Sequence, residues 1–158
     1  MVVSETSNSN RPLILLIEND DSDVFLFRRA LSKLDYRGDV RVVGSVSEAR
    51  AYMENKGSFV DKEYFRRPQL IVSDFRLSGP TALEFVRWLR QERNEMDLPI
   101  VLLSGAVRAV DLPQISTAGV NELIYKTPDV AVLAARLQPI LPILLTTLLA
   151  SGVLLYAA

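Results

Sequence analysis

Four short apolar runs in this chain each stop at a polar residue able to do chemistry. Leu13 to Ile17 runs into Glu18-Asn19-Asp20, Leu70 to Val72 into Ser73-Asp74, Ile100 to Leu103 into Ser104, and Leu123-Ile124-Tyr125 into Lys126. Singly, each has an ordinary explanation. Asp74 can initiate a turn, the acidic cluster can cap a helix, Ser104 can be a turn hydroxyl, and Lys126 can be a solvated charge. Brought to one edge, they make a different object. Asp74 becomes a carboxylate nucleophile toward a phosphoryl group. Acidic oxygens beside it can hold a magnesium ion. The metal and Lys126 offset charge on the phosphoryl oxygens, and Ser104 hydrogen-bonds one of them, because phosphoryl transfer needs mainly positioning and electrostatics.

What the chain lacks narrows the chemistry further. It has no Cys and no His among 158 residues. That removes disulfides, a thiol nucleophile, thiolate or imidazole zinc ligands and the Ser-His-Asp triad. The formal net charge is -1, so no basic excess points to nucleic acid. The length suits one domain with a full core.

For the strand ends to meet, the runs must be parallel strands. Leu13 to Ile17, Asp39 to Gly44, Gln69 to Asp74, Pro99 to Ser104 and Asn121 to Lys126 read as strands. The apolar ones suit a sheet covered on both faces. Helical patterns separate them. Val24, Phe27, Leu31 and Leu34 recur at helical spacing after a cap at Asp21 or Ser22. Ser45-Val46-Ser47-Glu48 has capping-box spacing and opens a helix to about Asn55. Thr81 opens a helix whose stripe is Ala82, Phe85, Val86 and Leu89. Pro113 to Ala118 is a short helix, and Asp129 caps a last one from Val130. Lys56 to Pro68 is a long charged loop that Tyr64 and Phe65 can pin down. Alternating strands and helices with right-handed crossovers predict a doubly wound parallel five-stranded sheet. Its flavodoxin-like strand order is 2-1-3-4-5, with helices on both faces and ligands outside the carboxyl ends of the strands.

The ordered segments Ile14-Leu15-Leu16-Ile17-Glu18-Asn19-Asp20, Leu70-Ile71-Val72-Ser73-Asp74, Pro99 to Gly105 and Gly119 to Lys126 resemble the receiver domain of bacterial two-component response regulators. The resemblance covers about Pro12 to Gln138. The long loop before the third strand is similar to that of small stand-alone receivers, some associated with phytochromes. The resemblance implies that Asp74 accepts a phosphoryl group from the His of a sensor histidine kinase or a phosphotransfer protein. It implies a magnesium site of Glu18, Asn19, Asp74 and the Arg76 backbone carbonyl. Ser104 would be the switch hydroxyl and Lys126 the phosphate-contacting Lys. Helix four, strand five and helix five would form the output face, and signalling would be by protein contact. The domain itself would be a phosphoacceptor rather than an enzyme, apart from its own phosphoryl transfer and dephosphorylation.

Several positions depart from that pattern. Asn19 stands where the family has a carboxylate, so the metal site loses a charge; Asp20 is the nearest replacement. Thr127 stands where Pro usually follows the Lys, and the Lys126-Thr127 bond is expected to be trans, since a cis bond before a non-proline costs about 2.5–4 kcal/mol. Leu123 occupies the aromatic switch position, and Tyr125 does not inherit that role. Leu77-Ser78-Gly79-Pro80 replaces a hydrophobic-Pro turn, and Ala82 stands where Gly is common. These changes leave a second function open: a degenerate receiver acting as an interaction module without phosphorylation. An aspartate-nucleophile phosphatase would want a second Asp where Arg76 stands.

The ends add two expectations. Residues 1–11 are polar and Ser/Asn-rich and read as a disordered lead into a cytoplasmic domain. Residues 12–138 form the receiver. Residues 139–158 form an apolar tail without a charged side chain. Pro139 and Pro142 interrupt it. From Ile143 a helix would span about 24 Å, short of the roughly 30 Å hydrocarbon core. The tail can pack on the receiver, support a homodimer through the output face, or associate with a membrane.

Overall fold

A computed structural model describes residues 11–79 and 81–142. The expected disorder of the N-terminal lead before Arg11, the turn at Pro80 and the helix from Ile143 lie outside the described residues. Five parallel strands form one sheet: β1 (Leu13–Ile17), β2 (Asp39–Val43), β3 (Leu70–Asp74), β4 (Ile100–Ser104) and β5 (Glu122–Tyr125). Their spatial order is β2-β1-β3-β4-β5. This is the expected doubly wound arrangement. The switch point lies between β1 and β3, where Ile17 pairs with Ser73. Glu18 and Asp74 each follow by one residue, so the register alone sets them side by side.

Helices α1 (Asp21–Lys33) and α5 (Val130–Leu137) cover one face of the sheet. Their residues Phe27, Ala30, Leu31, Leu133, Ala134 and Leu137 pack on Ile14, Leu16, Val72 and Val101. The other face carries α2 (Val46–Met53), α3 (Ala82–Arg87) and α4 (Leu112–Ala118). There Tyr52, Phe85 and Leu89 pack on Leu15, Ile17, Ile71 and Leu102. Alternate residues of a strand point to opposite faces. Both faces are covered, so β1, β3 and β4 are buried throughout.

Local chemistry starts and stops the helices. The N-cap of α1 is Asp20 rather than Asp21 or Ser22, and its carboxylate accepts from Ser22 N at 2.8 Å and Asp23 N at 3.2 Å. The polar run holds several cap-competent residues, and Asp20 is the one whose backbone is extended with its carboxylate over the first turn. Ser45 caps α2 by accepting from Glu48 N, while the Glu48 carboxylate takes Gly44 N at 2.8 Å. Thr81 and Glu84 form a reciprocal capping box on α3. After Arg87 that helix widens into a π-turn over Trp88–Glu92. The loop after α2 contains a 3₁₀ turn at Gly57–Phe59. Phe65 anchors it edge-on to Tyr52 and Phe59, and Tyr64 lies under the Arg41 guanidinium at 4.0 Å. Asp129 caps α5, which passes through a 3₁₀ turn at Gln138–Ile140.

Candidate functional site

The carboxyl ends of β1, β3, β4 and β5 converge, each delivering its polar residue. Backbone bonds lock the ends together: Phe75 N donates to Leu103 O at 2.8 Å, and Lys126 N donates to Ser104 O at 2.8 Å. Glu18 is 4% exposed and Asp74 8%, so both carboxylates are almost wholly buried at the strand ends. Burying charge at that depth is costly unless it is compensated. The compensation is Lys126. Its ammonium donates to Glu18 Oε2 at 2.7 Å and to Asp23 Oδ2 at 2.7 Å, and lies 3.4 Å from Asp74 Oδ2.

The remaining oxygens also have partners. Glu18 Oε1 accepts from Asn19 N and Asp20 N, both at 3.0 Å. Asp74 Oδ1 accepts from Arg76 N at 3.1 Å. Burial would lower the Lys126 ammonium. The hydrogen bonds to Asp23 and Glu18 and the charge of Asp74 outweigh it and hold Lys126 well above the usual lysine range. The lysine is therefore charged throughout the physiological range.

Ser104 is fully buried, and its hydroxyl donates to Ala106 O at 2.7 Å. It faces the loop after β4. Arg76 lies across the same loop, with Nε donating to Ala106 O at 3.4 Å. Thr127 Oγ1 accepts from Asp129 N at 3.2 Å, and the Lys126-Thr127 bond is trans. Asn19 is exposed. Asp20 spends one carboxylate oxygen on capping α1. Thus Glu18, Asp74 and Lys126 meet directly, Ser104 and Arg76 flank them, and Asp20 and Thr127 serve neighbouring helix starts.

Asp23 is the residue that sequence reasoning missed. It lay within a polar cluster read as a cap. The available signal was its position in the first turn of α1, immediately beyond the edge where Glu18 emerges.

Glu18, Asp74, the Asn19 amide and the Arg76 carbonyl are oxygen donors of the type a hard divalent cation takes. The donor chemistry fits magnesium. The charge is lower than three carboxylates would give, and among the described residues no trio of acidic side chains is arranged to hold a metal ion.

Comparison with known proteins agrees with this geometry. The phosphate regulon transcriptional regulatory protein PhoB of Rhizobium meliloti is 26% identical over 145 residues, covering 89% of this chain and 59% of that protein. The chain thus spans little more than half of that relative's length. The phosphorylated cyanobacterial phytochrome response regulator RcpA superposes with a TM-score of 0.74 at 25% identity, covering 87% of this chain and 96% of that one. The Mn(2+)-bound form of response regulator Rcp1 shares the fold with a TM-score of 0.70 at 22% identity, covering 82% and 91%. The response regulator receiver domain family matches residues 14–138, and the chain belongs to that family.

Proposed function

We propose that the chain is a receiver that accepts a phosphoryl group on Asp74 and signals by protein contact. The observation that carries this is the buried Asp74 carboxylate with Lys126 Nζ 3.4 Å from its free-edge oxygen. Asp74 Oδ2 attacks phosphorus, the bond from phosphorus to a histidine nitrogen of the donor breaks, and the imidazole keeps the electron pair. A P–O bond on Asp74 replaces the P–N bond. Lys126 offsets the phosphoryl charge, and the Ser104 hydroxyl turns from Ala106 O to a phosphoryl oxygen. Attack of water on phosphorus returns the carboxylate and releases inorganic phosphate.

Glu18, Asn19, Asp74 and the Arg76 carbonyl would hold magnesium, as the Mn(2+)-bound relative suggests. When bound, it supplies further positive charge at the phosphoryl oxygens. The donor protein would be a sensor histidine kinase or a phosphotransfer protein. Output would use the face of α4, β5 and α5, where Leu112, Tyr125 and Val132 are exposed.

The neutral, exposed Asn19 favours a second reading, an interaction module that works without phosphorylation. One experiment separates the two. The protein is incubated with magnesium and acetyl phosphate beside a control receiver, and the intact mass is measured. We expect an acid-stable, base-labile adduct of phosphate mass that Asp74→Asn abolishes. Absence of the adduct under conditions that label the control overturns the phosphoacceptor reading in favour of the second.

A further inference from the structure

Lys126 meets three carboxylates, and they do not hold it equally. It is 2.7 Å from Glu18 Oε2, 2.7 Å from Asp23 Oδ2 and 3.4 Å from Asp74 Oδ2. Asp23 comes from the first turn of α1, and Asp74 from the end of β3. Its backbone is fixed by the helix and by the N–H that Asp20 Oδ1 accepts. Its side chain is 34% exposed, against 11% for Asp74.

The geometry points to Asp23 as a positioning residue that draws the Lys126 ammonium off Asp74 until a phosphoryl group is placed there. This rests on the proposed function. The attraction between two unit charges falls with their separation and is several times stronger at a protein surface than in bulk water. Small differences in separation therefore decide where one ammonium rests. With Asp74 unmodified, Asp23 and Glu18 together outcompete its single charge and leave Oδ2 without a short ion pair. A phosphoryl group carries a charge of about −1.5 to −2, which reverses the balance. Lys126 then leaves Asp23 for the phosphoryl oxygens, and the first turn of α1 loses a partner. Asp23 also supplies, from the helix, a negative charge that the β1 end lacks at Asn19.

The test uses the full chain and Asp23→Asn, Asp23→Glu, Lys126→Met and the double variant Asp23→Asn/Lys126→Met. The first readout needs no phosphate: proton exchange of the Lys126 ammonium by nitrogen-resolved NMR. Asp23→Asn is expected to speed exchange several-fold and Asp23→Glu to restore slow exchange. Unchanged exchange in Asp23→Asn overturns the proposal, whether or not the protein can be phosphorylated. The second readout is labelling by acetyl phosphate with magnesium and decay of the adduct. Asp23→Asn should label several-fold more slowly and decay several-fold more slowly, because Lys126 closes first on Asp74 and then on the phosphoryl group. The same substitution should change neither rate in the Lys126→Met background. An equal effect in both backgrounds assigns Asp23 a merely structural role in α1 and overturns the proposal. Failure of the wild type to label sinks the phosphoacceptor reading alone, and the exchange measurement still decides Asp23.

Discussion

Asn19 shows how much one side chain can change a charged site. The strand ends hold two buried carboxylates, Glu18 and Asp74, and one ammonium within reach of both. A divalent cation entering there gains less than it would against a further carboxylate at position 19, and Lys126 already neutralises part of the charge. Asn19→Asp should therefore tighten manganese or magnesium binding by about tenfold, a difference of about 1.4 kcal/mol, read by calorimetric titration. No change in affinity would mean that Asn19 faces away from the ion. The sequence revealed the missing charge at Asn19, because residue type is all that statement needs. It did not reveal that Asp23 reaches Lys126, because that contact joins residues 103 positions apart.

At the scale of elements, two hidden anchors matter more than the helical patterns. Arg90, in the π-turn after α3, is 9% exposed and donates to Leu98 O at 2.8 Å, to Gly119 O at 2.8 Å and to Asn121 Oδ1 at 3.1 Å. It also donates to Glu95 O. One guanidinium thus ties the end of α3 to the start of β4 and to the turn before β5. Gly119 makes room for it: its φ is 96°, and a Cβ there would meet Arg90 Nε at 3.1 Å. Arg90→Met strands several carbonyls and should cost about 3 kcal/mol of unfolding free energy, measured by denaturant titration. Within its sequence neighbourhood Arg90 looks like an ordinary surface charge at a helix end. The return of β5 beside β4 adds the acceptors at Gly119 and Asn121 to those at Glu95 and Leu98.

The second anchor is aromatic. Tyr52 is buried against Phe59 and Phe65, and its hydroxyl donates to Arg66 O at 2.9 Å. Burial pushes its phenol from 10.0 up to about 12, with Arg41 and Arg66 opposing. A phenol whose folded pKa is raised contributes full stability below its unfolded value near pH 10. It loses that contribution as pH rises toward 12, because the unfolded chain releases the proton first. Denaturant titrations across that window should show falling stability, with a shallower fall in Tyr52→Phe. An identical slope in the variant would assign the loss elsewhere; Tyr36, also raised mainly by burial, is the first candidate. The aromatic pinning of the long loop was legible from Phe65, whose type is out of place in a charged stretch. Tyr64 pins the loop from its half-exposed side, packing edge-on to Phe65 and accepting from the Arg41 guanidinium at 3.2 Å.

For the whole molecule, the surface that bears on self-association is the face of α4, β5 and α5. Val110, Leu112, Tyr125 and Val132 are exposed there, and the uncharged segment from Ile143 follows the same end of the chain. Among the described residues no helix is long and apolar enough to cross a membrane. Ile140 is 4% exposed and belongs to the α1–α5 core. A truncation meant to leave the receiver intact must therefore end after Pro142, not at Gln138. We expect the full chain to self-associate and the chain ending at Pro142 to be monomeric by sedimentation, with Leu112→Glu weakening the dimer at least tenfold. Pelleting of the full chain with lipid vesicles, lost on truncation, would instead favour membrane association.

The sequence by itself determined the sheet order and the strand-end positions of Glu18, Asp74, Ser104 and Lys126. Those follow from short-range patterns: apolar runs set strands, alternation with helices sets parallel pairing, and register then fixes neighbours. Only the tertiary structure decided how the side chains divide one ammonium among three carboxylates, which acid caps α1, and where Ser104 donates its proton. The first of these joins residues more than a hundred positions apart, and the other two are choices among neighbouring partners that residue type leaves equivalent. The Lys126 contacts depend on α1 packing on the sheet, which brings Asp23 to the β5 end and which no local pattern encodes.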